Sequence, residues 1–384
     1  MDFALTTEQE AIIDATRRMV KTEILPVLRA HDPDKSLPKE AALRIIKAGA
    51  TLGITGAMLP ESAGGSALRA LDYGLIYEQL PLAAAFILQP HEACARRIYY
   101  GSSPEQRERF LPALLAGRKV GGSAITEPDV GSDARSVKTA FTRERGYIVI
   151  NGRKTWLCNA TVCDVLNVTG QLKEEGKPPQ LARVLLDRAE SPFTTEEIQV
   201  IGIRQAYLGE ALFDNCRVRE DNLCGQSGDA ARVMNVIWLT NRPMLGLGAV
   251  NMAQQALNAA KEYAGVRKQF GRHIGGFQLV QQDLADIETL VTASRLLCYN
   301  ALAAIDRGER ANGLGAMAKR FAVESCDRAI ALAMRVHGAM GLSKELGLEQ
   351  FARDVRMLSI PDGTPGILAL IQGRELTGIS AFRG

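Results

Sequence analysis

Tyr147-Ile148-Val149-Ile150-Asn151-Gly152 interrupts a chain otherwise patterned for helices, and its reading decides the fold. Four successive aromatic or β-branched residues followed by Asn-Gly read as a strand running into a hairpin. Working outward, short runs bounded by Gly, Asn, Asp and Pro extend from about Gly121 to about Gly225. Val165-Leu166-Asn167-Val168, Ala182-Arg183-Val184-Leu185-Leu186 and Glu210-Ala211-Leu212-Phe213 continue the series at the spacing of a compact all-β unit. Lys173 to Pro179 reads as a polar loop.

Upstream, from Thr6 to about Gly117, the pattern is helical. Thr7 and Glu10 can form a capping box, and Ile12, Ile13, Met19 and Val20 recur at helical spacing. Pro60-Glu61-Ser62-Ala63-Gly64-Gly65 breaks the run; helical stretches follow at Tyr73 to Leu80, Ala83 to Tyr99 and Pro104 to Leu115. From Asp229 onward long helices return at Met252 to Val266, Phe277 to Arg307 and Leu314 to His337, with Gly275-Gly276, Gly308 and Gly338 near their ends. The expected fold is mainly α with a central β-barrel: a helical domain at 1–120, a β domain at 121–228 and a helical bundle at 229–384. The Ala-rich helices of the last third suit a bundle whose outer face packs against other subunits.

Bulk properties exclude several classes of function. Forty-six basic against 43 acidic side chains leave a formal charge of +3, too balanced for a nucleic-acid footprint or a basic membrane-binding face. No run of about 20 apolar residues offers a bilayer span. Met1-Asp2-Phe3-Ala4-Leu5 lacks the basic region and apolar run of a secretory signal, so a cytoplasmic protein is expected. Seven dispersed cysteines without a Cys-x-x-Cys pair fit free thiols, and four scattered histidines give no metal-ligand spacing. No metal is expected.

Several segments have two readings each. Ala124 to Asp133 is rich in hydroxyls and turn formers, suited to hydrogen-bonding a heterocycle or phosphate, but on composition alone a Pro-Asp turn is favoured. Trp156 is a core aromatic or a platform for a planar cofactor, and core is the commoner fate. Gly246-Leu247-Gly248 lies in a helical stretch, follows no strand and has no third glycine in place, so it permits close helix packing and not dinucleotide binding. Arg267-Lys268-Gln269-Phe270-Gly271-Arg272 is a solvated helix end or an anion site. In Ile360-Pro361-Asp362-Gly363-Thr364-Pro365, Thr364 is the N-cap and Pro365 the first residue of a helix. Asp362 then complements the helix dipole or serves as a general base.

Taken in order, these segments resemble the acyl-CoA dehydrogenase family over essentially the whole chain. The matching blocks are Ala124 to Asp133, Asn151 to Ala160, Phe213 to Val218 with Gly225, Arg267 to Gln278, Val336 to Gly341, and Arg353 to Arg356 through Asp362-Gly363-Thr364. The resemblance implies a helical domain, a β-barrel and a four-helix bundle, assembled as a homotetramer (a dimer of dimers) with one FAD per subunit. It carries flavin contacts onto Thr126, Trp156, Cys158 and Thr364 of one subunit, with Gly338 and Arg335 also on the cofactor side, and onto Arg267, Phe270 and Gln278 reaching a neighbour's cofactor. Ser132, Arg242 and Gly363 fall on the side of the acyl-CoA thioester. The implied reaction removes the proton beside the thioester carbonyl while hydride passes from the next carbon to flavin N5, and electrons then pass to an electron-transferring flavoprotein.

Three departures from the family pattern stand out. The usual base is Glu directly before Gly-Thr; here it is Asp362, shorter by one methylene and about 1.5 Å of reach. The alternative position for a base holds Asn241, which cannot take a proton in that way. Asp at this position is similar to the branch acting on cyclohexanecarboxyl-CoA and to the nitroalkane oxidases, so a cyclic or α-branched acyl group is preferred. Cys158 replaces the usual Thr or Ser, and Arg335 stands where Gln is common. An oxygen-using flavin oxidase and a partner-dependent subunit of a mixed tetramer are the competing readings.

Overall fold

The structure is a computed structural model and describes residues 4–225 and 229–381. Met1, Asp2 and Phe3, used in the amino-terminal reading, and the expected 228/229 domain boundary lie outside the described residues. The N-terminal domain is helical: α1 (Thr7–Met19), α2 (Leu25–Arg29), α3 (Lys39–Thr51), α4 (Ala70–Gln79), α5 (Leu82–Gly101) and α6 (Pro104–Leu115). The capping box of α1 sits one residue earlier than Thr7 and Glu10 suggest. Thr6 accepts from the Gln9 amide at 3.2 Å, and the Gln9 side chain accepts from Thr6 N at 3.1 Å, because Thr7 is already helical. Helix α5 is buried almost all round, including the polar residues Glu92, Arg96 and Arg97.

The middle domain contains β1 (Gly121–Ala124), β2 (Ala140–Glu144), β3 (Tyr147–Cys158), β4 (Val165–Lys173), β5 (Gln180–Asp187), β6 (Thr194–Glu197), β7 (Leu208–Arg219) and β8 (Leu223–Cys224). Their order is β6-β7-β3-β2-β4-β5-β8, with β1 added parallel to β4. The β6 and β8 ends are not paired with each other among the described residues. One face buries Phe141, Ile148, Ile150, Leu166, Val168, Val184, Leu186, Phe213 and Val218.

The Asn151-Gly152 hairpin is not formed. The hairpin turn is Arg145-Gly146, whose φ values of 46° and 82° are both positive, as a tight two-residue connection between β2 and β3 requires. Strand β3 continues through Asn151-Gly152 because β7 pairs along nearly its whole length, and the dipeptide marks a bulge in that pairing. A Cβ on Gly152 would fall 2.7 Å from Thr139 Oγ1, so glycine serves close approach here.

The C-terminal domain contains α7 (Asp229–Val266), the short strands β9 (Lys268–Gln269) and β10 (Arg272–His273), α8 (Gln278–Asp306), α9 (Asn312–His337), α10 (Leu348–Met357) and α11 (Pro365–Thr377). Helix α7 begins far upstream of Met252. Its stretch 240–250 is buried without interruption, so it lacks the polar stripe by which periodicity reveals a helix. Helices α7, α8, α9 and α11 pack on one another, and α4 and α5 pack against α7. Gly246 faces Cys298 and Ala322, where a Cβ would meet Cys298 Sγ at 2.6 Å. The glycine pair is therefore a helix-packing device, as the sequence reading holds. No described helix is long and apolar enough to cross a membrane.

Gly246→Ala is expected to destabilise the chain by about 1–3 kcal/mol through overpacking, measured by urea unfolding. Combining it with Cys298→Ala should recover part of the loss, since the two sites are in contact.

Candidate active site

Lys319 lies on α9 and is completely buried. It has no carboxylate in ion-pair distance among the described residues; its Nζ donates instead to the carbonyl of Pro361 and, at 2.7 Å, to that of Gly363. Arg242 on α7, 7% exposed, donates from Nε to the carbonyl of Asp362 at 3.0 Å. Three consecutive carbonyls are thus held by two buried cations. They hold Asp362 at φ 54°, a left-handed conformation that Asp tolerates better than most residues and that costs of the order of 1–3 kcal/mol. Two residues on, Thr364 accepts from Ile367 N at 3.4 Å and Pro365 opens α11, as the sequence indicates.

The charge of Asp362 reaches groups on five other elements. Burial pushes Arg97 on α5 down to about 10, and Asp362 opposes that shift. Burial likewise lowers Lys319 to about 8 and lowers Arg242, again against the attraction of Asp362. Burial raises the Cys158 thiol on β3 to about 12, and the carboxylate adds to the rise. Tyr77 on α4 is raised for the same two reasons, with Cys158 a lesser contributor. Asp362 therefore sits where the helical domains and the β domain meet, beside a thiol that stays protonated at neutral pH.

The hydroxyl-rich segment around Thr126 is fastened to β3 by a buried pair. Lys154 Nζ reaches Glu127 Oε1 and the Ile125 carbonyl, each at 2.7 Å, while Thr155 N donates to the Thr126 carbonyl at 2.9 Å. Glu127 also accepts from Lys138 N at 2.6 Å and from Thr139 N at 2.8 Å. A second register shift of β3, between Lys154 and Leu157, leaves Trp156 at φ 59° and 54% exposed. The commoner fate for such a residue, a place in the core, is overturned, and an open aromatic surface stands next to half-buried Cys158.

Thr126, Trp156, Cys158, Gly363 and Thr364 all lie at segments bordering the Asp362 loop or β3, and Ser132 is exposed farther along the Thr126 segment. Gly363 has φ 119°, outside the range of other residues, which lets the chain turn from Asp362 into α11. Arg267, Phe270 and Gln278 lie together past the end of α7, all exposed, with Phe270 at 94%. Arg335 is exposed and bound by Asp283 through both Nε, at 3.0 Å, and Nη2. Gly338 ends α9 at φ 60° with open space where a side chain would go.

Sequence reasoning missed Lys319, Arg97, Tyr77 and the Lys154–Glu127 pair. The one available signal was Lys319 itself, a lone cation among Ala316, Ala318, Ala322 and Val323 on the buried stripe of α9. A cavity of about 1650 Å³ lies elsewhere, lined by Arg17, Glu78, Asn258, Arg295 and Phe351 among others, and includes none of the expected site residues. Its buried acid Glu78 is already satisfied by Arg295 at 2.7 Å and Tyr299 at 2.5 Å. By contrast, two of the groups on which the Asp362 charge acts, Arg97 Nε and the Tyr77 hydroxyl, are buried without a hydrogen-bond partner.

The fold places one half-buried carboxylate, Asp362, under the influence of three buried cations, Arg97, Arg242 and Lys319. Family models for the N-terminal, middle and C-terminal domains of acyl-CoA dehydrogenase match residues 6–118, 122–216 and 231–377. Benzylmalonyl-CoA dehydrogenase of Aromatoleum aromaticum is 34% identical, with 98% of this chain and 100% of that protein covered. Cyclohex-1-ene-1-carbonyl-CoA dehydrogenase of Geobacter metallireducens is 33% identical over 97% of this chain and 98% of its own length. A solved FAD complex of PigA superimposes with a TM-score of 0.91 at 25% identity, covering 98% of this chain and 99% of that one. The chain belongs to the acyl-CoA dehydrogenase family, oxidoreductases that act on CH–CH groups.

Lys319 gives a pH signature. Its folded value of about 8 lies below the ordinary 10.5, so between these values the unfolded chain holds more protons and this group makes stability rise with pH. Urea unfolding across that window should show wild type gaining on Lys319→Met, by up to about 1.4 kcal/mol per pH unit.

Proposed function

We propose that the chain is an FAD-dependent acyl-CoA dehydrogenase in which Asp362 removes the proton beside the thioester carbonyl of a bound acyl-CoA. The observation that carries this reading is the Asp362 loop, whose three carbonyls are held by Lys319 and Arg242. Asn241, at the other position where a base is expected, accepts from Arg96 Nη2 at 3.2 Å and has no proton-accepting role. Arg242 and Lys319 bring desolvated positive charge to the carboxylate, which stabilises negative charge developing on the thioester oxygen. Burial of the surrounding residues excludes water and strengthens these interactions.

The residues present fit a flavin. Trp156 offers an exposed ring for stacking, Cys158 a protonated thiol beside it, Thr126 and Thr364 hydroxyls on flanking segments, and Gly338 an open backbone. Likeness to a solved FAD complex supports the choice of cofactor. When bound, FAD accepts the hydride from the carbon next to the one deprotonated. Arg267, Phe270 and Gln278, exposed in the single chain, serve the cofactor of a neighbouring subunit in a homotetramer. Arg335 joins the cofactor only by releasing Asp283. Ser132, Arg242 and Gly363 lie on the substrate side.

The domain division at 1–120, 121–228 and 229–384, with the middle sheet read as a β-barrel and the last domain as a four-helix bundle, completes this reading. The substrate class is a cyclic or α-branched acyl-CoA, supported by the shorter reach of Asp362 and by likeness to an enzyme named for cyclohex-1-ene-1-carbonyl-CoA. Electrons leave to an electron-transferring flavoprotein, and the compartment is cytoplasmic.

Anaerobic mixing of the purified yellow protein with straight, branched and cyclic acyl-CoA thioesters should bleach the visible flavin band. Asp362→Asn should slow bleaching by about 10²- to 10⁴-fold with flavin content unchanged. Turnover of a nitroalkane with oxygen, without bleaching by any thioester, would replace this reading with the oxidase.

A further inference from the structure

Adjacent arginines on α5 have opposite environments. Arg96 is satisfied: Glu92 lies 2.7 Å away, Nη1 donates to Thr240 Oγ1 at 2.7 Å, and Nη2 donates to Asn241 Oδ1. Arg97, 6% exposed, donates from Nη1 to Ser123 Oγ at 3.2 Å, while its Nε is sealed from solvent and donates to nothing. No carboxylate lies within ion-pair distance of it among the described residues. The Tyr77 hydroxyl is also sealed and without a partner. Its ring is held close to the backbone of Gly248, where a Cβ would meet Tyr77 Cε1 at 3.4 Å.

The charge of Asp362 acts on both side chains. Around that one carboxylate stand three buried cations, Arg97, Arg242 and Lys319. Arg242 and Lys319 are compensated by backbone carbonyls; Arg97 is not. A desolvated guanidinium lacking an acid is a costly arrangement that an incoming anion relieves. A plain hydrocarbon acyl chain would seal the free donors of Arg97 and Tyr77 further without supplying an acceptor.

We propose that the acyl group of the substrate carries a carboxylate, bound by the Arg97 guanidinium with the Tyr77 hydroxyl as a second donor. This rests on the acyl-CoA reading above and adds a carboxylate to the acyl group, making the substrate a thioester of a dicarboxylic acid whether its carbon skeleton is straight, branched or cyclic. Arg97 is the specificity-determining residue, because a charge-assisted hydrogen bond to a carboxylate has no counterpart with a methyl group.

Matched thioesters differing only at the far terminus provide the test: butyryl-CoA with succinyl-CoA, pentanoyl-CoA with glutaryl-CoA, and hexanoyl-CoA with adipoyl-CoA. Dissociation constants come from the shift of the flavin spectrum, and kcat/KM from its bleaching. In at least one pair, wild type should favour the carboxylated member by about 10- to 100-fold in both quantities. Arg97→Met should bring that ratio close to one, Arg97→Lys should recover part of it, and Tyr77→Phe should reduce it several-fold. A ratio near one or below in every wild-type pair overturns the inference while leaving the dehydrogenase reading intact. An Arg97→Met variant that weakens both members equally overturns it too, since Arg97 would then serve the thioester. Failure of every thioester to bind or bleach overturns both readings together. Should the variants misfold, as judged by circular dichroism and flavin content, the wild-type ratio alone decides.

Discussion

A buried ammonium that solvates backbone is the interaction on which the site depends. Lys319 is completely buried with no carboxylate in ion-pair distance among the described residues, so its charge is stabilised by carbonyl dipoles, and the available ones flank Asp362. With Arg242 on the intervening carbonyl, the loop is held in a left-handed turn it would not keep unaided. The same contacts leave the carboxylate itself uncommitted, because they engage its backbone. A base salt-bridged through its side chain would be a weak one; a base held by its backbone keeps its oxygens for substrate.

A second buried pair does the corresponding work in the β domain. Lys154 and Glu127 tie the Thr126 segment to β3, and the register shift beyond Lys154 turns Trp156 out of the core. Asn159, at the end of the same strand, donates to the carbonyls of Ile87 on α5 and Gly121 on β1 at 3.0 and 3.1 Å. The segment proposed to face the flavin is therefore anchored both within its own sheet and to the helix that carries Arg97. Few of these anchors are exposed, so the site is assembled by domain packing more than by any one loop.

Much of the architecture was legible in the residues. Helix, β, helix followed from texture, α6 was located end to end from Pro104 to Leu115, and the Thr364–Pro365 helix start was read correctly from capping chemistry. Errors arose where tertiary partners overrode local signals. Asn151-Gly152 has the chemistry of a turn, but a long neighbouring strand kept the chain extended and moved the turn to Arg145-Gly146. The stretch 240–250 of α7 was invisible to periodicity because it is buried on every side.

By itself the sequence determined the order of domains and the family pattern, and it pointed to Asp362 as the carboxylate proposed to be the base. These are properties of composition, period and local spacing, which neighbouring residues express without help. Only the tertiary structure decided which charges surround that carboxylate. Tyr77, Arg97, Cys158, Arg242 and Lys319 come from five separate elements, and nothing in their local sequence records that they meet. Desolvation, which makes an unpaired arginine significant, is a property of the packed interior and has no signature in the order of residues.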